Sequence, residues 1–378
     1  MHLHRETQSE SPKARVIAFY LPQFHAIPEN DKWWGKGFTE WTNVAKAKPL
    51  FPGHYQPIVP ADLGFYDLRV PETRIAQAEM ARQYGIEGFC YWHYWFAGKR
   101  LLERPFNEVL KSGEPNFPFC IGWANHTWSG IWHGCPDRIL MEQTYPGLDD
   151  YKSHFIALLD AFKDSRYITI DGKPVFLVYK PHELPEPKIF TDYWRELAEK
   201  SGLKGLYFIG IITDNPSWVP EPNGFDAAST QNPASKTRKR LRTIYPKSIF
   251  AKGYKKLVSE VSKKLQKEYG PKFPLVYSYE KAIKYAPLGQ DLEFEHYPCV
   301  FPNWDNTPRS GVNGVIYHNS TPDLFRIHLR EAIEQVAQRE PEKRIVFIKS
   351  WNEWAEGNYL EPDIRFGRAY LEVIKDEI

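Results

Sequence analysis

Cysteine, long apolar runs and net charge are all scarce in this 378-residue chain, and each scarcity excludes a class of protein. Its four cysteines lie far apart and show neither the spacing of a zinc site nor that of a dithiol motif. No apolar run is long enough to span a membrane, and the start "MHLHRETQSESPKARV" lacks the apolar core of a signal peptide. The formal net charge of +2 argues against a surface built for nucleic acid. We therefore expect a cytoplasmic protein that binds no nucleic acid.

Aromatic residues are abundant, with 13 Trp, 22 Tyr and 23 Phe in the chain. Sugars stack on such rings. The remaining composition, with 42% hydrophobic and 25% charged residues, is that of an ordinary globular protein. Partners must therefore be inferred from local features of the sequence.

Short apolar runs alternate with amphipathic stretches along the chain. The candidate strands are 16–21, 87–92, 117–125, 174–179, 206–212, 225–230, 299–305 and 344–351, and helical patterns occupy 71–85, 149–163, 191–202 and 321–338. Eight such pairs predict an α/β fold, a (β/α)8 TIM barrel. We expect a disordered tail at 1–14 and a single catalytic domain at 15–378. A doubly wound sheet would place a Gly-rich loop after the first strand, where "FYLPQFHAIPEN" stands instead.

A basic helical insertion is expected between strands six and seven, at about 233–290. Its segment 236–272 holds thirteen Lys or Arg and two Glu. The segment "KLVSEVSKKLQKE" is amphipathic, which fits a solvated helix packed on the barrel. It also fits peripheral contact with the anionic inner face of a membrane, or with a lipid-linked or acidic glycan.

Chemistry in such a barrel belongs at the C-terminal ends of the strands. The candidate substrate-binding residues there are His25, Glu40, Trp41, Trp92, His93, Trp95, Asn125, Trp128, Trp304, Asp305, Asn352, Trp354 and Glu361. The segment "YWHYWF" also fits an aromatic plug over the barrel mouth, and His25, His93 and His126 also fit buried structural histidines. No HxH pair lies on one strand, so we predict no metal site.

The segment "IKSWNEWAEGNYLEPD" supplies a pair of acids, Glu353 and Glu356. Three residues apart at the end of a strand, they can project to the same side. Cleavage of a glycosidic bond needs two such acids, one to protonate the leaving oxygen and one to act as base or nucleophile. The flanking tryptophans would exclude water and raise the pKa of the carboxyl that acts as the acid. We therefore predict Glu353 and Glu356 as the catalytic residues.

Three motifs, "FYLPQFHAIPENDKWWGKGFTEWTNVAKAKPLFPGHYQP", "GFCYWHYWF" and "WNEWAEGNYLEPD", resemble those of the WbsX-like glycosyltransferases of lipopolysaccharide and capsule biosynthesis. That group is similar to glycoside hydrolase family 99. The resemblance implies a (β/α)8 barrel that acts on a glycan without a metal or other cofactor. It places the two acids of family 99 on Glu353, which would deprotonate the 2-hydroxyl to give a 1,2-anhydro sugar, and Glu356, which would protonate the leaving oxygen. Ala355 stands where family 99 has His, which leaves its mannose-chain specificity open.

Three functions remain at this point. The favoured one is a glycoside hydrolase that cleaves a bacterial polysaccharide of O-antigen or capsule type. The first alternative is a glycosyltransferase in lipopolysaccharide or O-antigen biosynthesis, which would need a site for two phosphates. Near the predicted catalytic face only Arg309, Lys349 and Arg365 are scattered candidates for one, with no Gly-rich turn. The second alternative is a glycan-binding barrel without catalysis.

Overall fold

The computed structural model describes residues 12–130, 135–213, 215–231, 273–286, 288–289 and 292–378. Within these ranges eight strand positions form a nearly closed parallel barrel. They are β1 (Arg15–Tyr20), β2 (Gly88–Phe96), β3 (Phe119–Trp123), β4 (Lys173–Val178), β5 (Tyr207–Ile212), β6 (Ala227–Thr230), β7 (His296–Tyr297 and Cys299–Val300) and β8 (Ile345–Ile348). The (β/α)8 barrel predicted from the sequence is confirmed.

The seventh strand differs from its predicted bounds of 299–305. Its first segment pairs with β6 and its second with β8, and only Pro298 separates the two. Proline has no N–H to give to a ladder, but the Pro298 carbonyl accepts a hydrogen bond of 2.9 Å from the Phe347 N–H. Trp304–Asp305, the end of the predicted strand, pairs antiparallel with Val315–His318 in a separate sheet.

Helices follow most of the barrel strands. In the described ranges they are α1 (Pro28–Trp34), α2 (Glu40–Lys46), α3 (Pro71–Gln83), α4 (Arg104–Ser112), α5 (Leu148–Phe162), α6 (Pro187–Lys200), α7 (Tyr279–Lys284), α8 (Thr307–Ser310), α9 (Pro322–Val336) and α10 (Ala369–Glu377). Pro71 occupies the first turn of α3, where no N–H is needed, and Gly85 just beyond its end has φ +81°. The amphipathic stretches therefore form the helical layer that the sequence predicts.

The core lies inside the barrel and between the barrel and its helices. β1, β2 and β5 are buried at nearly every position, because a parallel strand is covered on both faces. Cys90, Cys120 and Cys299 are buried free thiols within this core. The apolar runs of the sequence thus become the inner layer of the fold.

The described part of the predicted insertion forms a small sheet beside the barrel. Leu275–Ser278 pairs parallel with Val315–His318, and α7 packs on this sheet around Tyr279. The basic segment 236–272 lies outside the described residues. Shorter strand pairs join Lys99–Leu101 to β2, Thr169–Ile170 to β4, and Trp128–Gly130 to Cys135–Met141. None of the helices in the described ranges has the length and apolarity needed to span a bilayer.

Candidate active site

A cavity of about 430 Å³ opens at the C-terminal ends of the barrel strands. This volume is typical of a site for a small ligand. The cavity is lined by Leu21, Gln23, Asn30, Trp34, Phe38, Glu40, Asn43, Trp92, Tyr94, Ala124, His126, Thr127, Trp128, Ser129, Leu140, Tyr179, Lys180, Arg309, Lys349, Glu353 and Glu356. Both predicted catalytic acids are therefore in its wall, together with Glu40, Trp92 and Trp128 from the predicted binding set.

The local fold after β8 brings the two acids to the same side. Asn352–Glu353 pairs antiparallel with Asn358–Tyr359, and one 3-10 turn, Trp354–Glu356, joins them. Gly357 closes this turn in the left-handed conformation, with φ +63°. A Cβ there would also lie 2.6 Å from the backbone nitrogen of Asp305. Glycine is thus required by both conformation and space.

Lys349 connects the two carboxylates. Its Nζ lies 3.2 Å from Glu353 Oε2 and 3.5 Å from Glu356 Oε2. The Trp92 indole N–H donates to Glu353 Oε1 at 3.0 Å. Because all of these side chains are buried, the ion pairs act in a medium of low polarity, where they are stronger than in water.

Arg309, on α8, joins a third carboxylate to the pair. Its Nη1 donates to Glu356 Oε1 at 2.5 Å, and its Nε donates to Glu40 Oε2 at 3.0 Å. The sequence offered Arg309 and Lys349 only as scattered phosphate candidates. Their pairing with the acids depends on contacts across the barrel, and no local spacing signals it.

The surroundings separate the pKa values of the two acids. Burial raises the pKa of Glu353 to about 7, against the opposing effect of Lys349. Burial also acts to raise the pKa of Glu356, but Lys349 and Arg309 together outweigh it and hold that pKa well below its usual range. Glu356 is therefore the carboxylate of the pair at neutral pH, and Glu353 takes up a proton more readily.

Glu361 lies behind the turn that carries Glu353 and Glu356 and does not line the cavity. It is buried and accepts hydrogen bonds from Trp354 Nε1 (2.6 Å), Gln77 Nε2 (2.6 Å) and the Tyr66 hydroxyl (2.8 Å). Trp354 in turn stacks on Tyr359, with ring centroids 4.1 Å apart. Glu361 and Trp354, both predicted as binding residues, thus stabilise the turn that carries Glu353 and Glu356.

His93 and Trp95 are placed on the far side of β2 from the cavity. His93 Nε2 lies 2.9 Å from His154 Nε2, and Trp95 stacks on His154 and donates to Asp150. Neighbouring residues of a strand point to opposite faces, so Trp92 lines the cavity while His93 and Trp95 pack against α5.

The other predicted binding residues also lie outside the cavity wall. His25 Nδ1 is 3.1 Å from the Pro22 carbonyl oxygen, the Trp41 indole donates to the Tyr66 carbonyl at 2.7 Å, the Asn125 amide donates to the Lys180 carbonyl at 2.9 Å, and the Asn352 amide donates to the Leu21 carbonyl at 3.0 Å. Their side chains hold backbone segments that carry lining residues.

Trp304 and Asp305 line a second, smaller cavity of about 80 Å³. Asp305 Oδ2 lies 2.7 Å from His54 Nε2 and accepts a hydrogen bond of 2.6 Å from the Gln56 amide. Trp304 is linked to the two acids through Lys349, whose Nζ lies 5.5 Å from the centroid of the Trp304 ring. Among the described residues, no three His, Cys, Asp or Glu side chains are arranged to hold a metal ion.

Two solved structures share the barrel fold of this chain. A solved structure described as a "Glycoside hydrolase-like protein" matches with a TM-score of 0.56 at 15% identity, covering 97% of this chain and 94% of that one. The GH99 endo-alpha-mannosidase from Bacteroides thetaiotaomicron matches with a TM-score of 0.51 at 14% identity, covering 97% and 96%.

The chain belongs to the family described as Glycosyltransferase WbsX, which matches residues 16–374. A relative from Xanthomonas campestris pv. campestris, described as "Uncharacterized protein WxcX", is 38% identical over 377 residues. That match covers 98% of this chain and 50% of the relative, so the chain spans about half the length of the curated relatives it matches.

Proposed function

We propose that this protein is a glycoside hydrolase that cleaves a bacterial polysaccharide of O-antigen or capsule type. The observation that carries the proposal is the pair Glu353 and Glu356, presented by one turn to a cavity and joined by Lys349. Acid/base cleavage of a glycosidic bond requires two carboxyls that flank the bond, and both of these carboxyls line the same cavity. The family description and the fold support a glycan as the substrate.

The two acids have different roles in proton transfer. The resemblance to family 99 gives the base role to Glu353 and the acid role to Glu356. The reaction would then have two steps, with a 1,2-anhydro sugar as the intermediate and net retention of the anomeric configuration. The ion pairs favour the other order, since Lys349 contacts both acids whereas Arg309 pairs with Glu356 and not with Glu353. We therefore propose Glu353 as the proton donor to the leaving oxygen and Glu356 as the base.

Aromatic side chains surround this pair. Trp92, Tyr94, Trp128 and Tyr179 line the cavity, and Trp92 also donates a hydrogen bond to Glu353. We propose that these rings bind sugar faces and limit the access of water to the reacting bond. No cofactor is needed for this chemistry.

Substitution of the acids tests the proposal. Purified protein is screened against bacterial O-antigen and capsule oligosaccharides, with product release measured by chromatography. Glu353→Gln and Glu356→Gln should each lower kcat by roughly 10²- to 10⁴-fold, because each removes a proton-transfer role. Glu372→Gln, at an exposed position of α10, is the matched control and should keep full activity. Full activity in both active-site variants would refute the assignment.

Glycosyl transfer is the second candidate, and the family description favours it. The acids can act with a sugar hydroxyl as well as with water, so the incoming group must be tested separately. The same screen is therefore run with nucleotide sugars, and calorimetry measures their binding. We expect no tight binding, because the cations that line the described cavity already have carboxylate partners. Micromolar binding that Lys349→Met abolishes would establish the transferase.

A further inference from the structure

Two short helices in the loop after β1 each present one face to the cavity. On α1, Asn30 and Trp34 are four residues apart, and on α2, Glu40 and Asn43 are three apart. Residues at these spacings share a helix face. All four line the cavity. Glu40 is paired with Arg309, which leaves the two asparagines as the uncommitted polar groups of this wall.

The asparagine amides have unpaired atoms. Asn30 is fully buried, and neither its Nδ2 nor its Oδ1 has a hydrogen-bond partner; the Oδ1 of the buried Asn43 has none either. Buried polar groups are almost always paired in folded proteins, since leaving one unpaired is costly. Two such side chains in the wall of one cavity therefore offer unused hydrogen-bonding atoms to a ligand that enters it.

The unused groups of the cavity are uncharged, whereas its described cations are already paired. Arg309 contacts Glu40 and Glu356, Lys349 contacts both catalytic acids, and Lys180 Nζ lies 2.6 Å from Glu183 Oε1.

His126 Nδ1 is also buried without a partner, and burial lowers the pKa of His126 to about 4, so this ring is neutral at pH 7. The groups left for a ligand thus match neutral hydroxyls better than a carboxylate or a phosphate.

We propose that Asn30 and Asn43 form a subsite for an uncharged sugar residue of the substrate glycan. An amide both donates and accepts, as a sugar hydroxyl does, so each side chain can bind such a group. A uronic acid or a sugar phosphate would need an unpaired cation, which the described lining residues do not offer. This assignment rests on the proposed glycan-cleaving function and specifies its substrate class.

The test measures binding apart from turnover. In the Glu353→Gln background, calorimetry compares matched neutral and uronic-acid oligosaccharides. We expect the neutral member of each pair to bind more tightly. Asn30→Leu and Asn43→Ala should each weaken its binding by about 3- to 10-fold, the usual effect of losing one or two neutral hydrogen bonds. Asn116→Leu, at an exposed loop position, should leave binding unchanged.

Thermal unfolding separates a binding role from a structural one. Leucine has the branched shape of asparagine and removes both unpaired atoms, so Asn30→Leu should keep or raise the Tm without ligand while weakening binding. A lower Tm with unchanged affinity would overturn the proposal, as would tighter binding of the uronic acid. If a neutral oligosaccharide binds through Asn30 but the wild-type protein cleaves none, the hydrolase proposal is wrong and the subsite proposal is supported. Binding of no oligosaccharide at all would contradict both.

Discussion

Arg309 and Lys349 influence how the two proposed catalytic acids, Glu353 and Glu356, share a proton. They supply two cations to a buried cluster with three carboxylates, Glu40, Glu353 and Glu356. A surplus negative charge in a buried cluster favours uptake of one proton. Glu353 is the more readily protonated of the pair because burial raises its pKa, while Arg309 forms its ion pairs with Glu356 and Glu40.

The pH dependence of kcat/KM should report this arrangement. If Glu353 donates the proton, activity is full below its pKa of about 7 and is lost as the pH rises through that value. Glu356 must be ionised, and its lowered pKa keeps it so down to low pH. Activity that rises through pH 7 would instead give Glu353 the base role.

Arg309→Met should move the acidic limb of the same profile. Removing the cation raises the pKa of Glu356, so activity will be lost at a higher pH than in the wild-type protein as the solution is acidified. Arg309→Lys keeps the charge, so its acidic limb should lie closer to that of the wild-type protein than the limb of Arg309→Met does. Arg368→Met, which removes an exposed arginine paired with Asp62, is the control. An unchanged profile in Arg309→Met would show that Arg309 does not set the pKa of Glu356.

At the scale of the element, one buried carboxylate stabilises the turn that carries Glu353 and Glu356. Glu361 accepts three side-chain hydrogen bonds, from Tyr66, Gln77 and Trp354, and thereby ties the turn to α3 and to the loop after β1. Glu361→Ala should lower the free energy of unfolding by about 3 kcal/mol or more, because it leaves three buried donors unpaired at about 1–3 kcal/mol each. Urea denaturation measures the loss, and Glu372→Ala on the surface of α10 should change it little.

The loss of unfolding free energy in Glu361→Ala should also depend on pH. Burial raises the pKa of Glu361 from 4.5 to about 7. A carboxyl with a raised folded pKa contributes its full stability below its unfolded pKa and loses it as the pH rises through the folded value. The difference between wild-type protein and variant should therefore be larger at pH 5 than at pH 8. An equal or larger difference at pH 8 would contradict the assigned shift.

At the scale of the whole molecule, positive charge is concentrated in 236–272, outside the described residues. Thirteen Lys or Arg stand there against two Glu, although the whole chain has a net charge of only +2. We propose that this segment contacts anionic membrane or a lipid-linked glycan. Binding to anionic vesicles should weaken steeply with salt, since charges are screened beyond about 8 Å at physiological ionic strength.

Replacing Arg238, Lys239 and Arg240 with Ser should reduce this vesicle binding and spare activity on a short soluble oligosaccharide. Vesicles of neutral lipid are the control. Binding that is absent, or that salt does not affect, would refute the proposed contact.

The sequence alone determined the barrel and the common position of Glu353 and Glu356 at the end of the eighth strand, because both depend on local patterns. Eight apolar runs, each followed by a polar or aromatic segment, indicate parallel strands covered on both faces, and the strand ends locate the cavity. Glu353 and Glu356 are three residues apart in one motif, so their common side follows from a single turn.

Only the tertiary structure decided which neighbours these acids have. Arg309 meets Glu40 across 269 residues of sequence, and Trp92 meets Glu353 across 261. Likewise, Asn30 lines the cavity while His93 and Trp95 pack behind it, because strand alternation and helix phase, not residue type, set which side chain faces the site. Residue type suggested the candidates, and packing selected among them, since a contact between distant segments exists only once the barrel has closed.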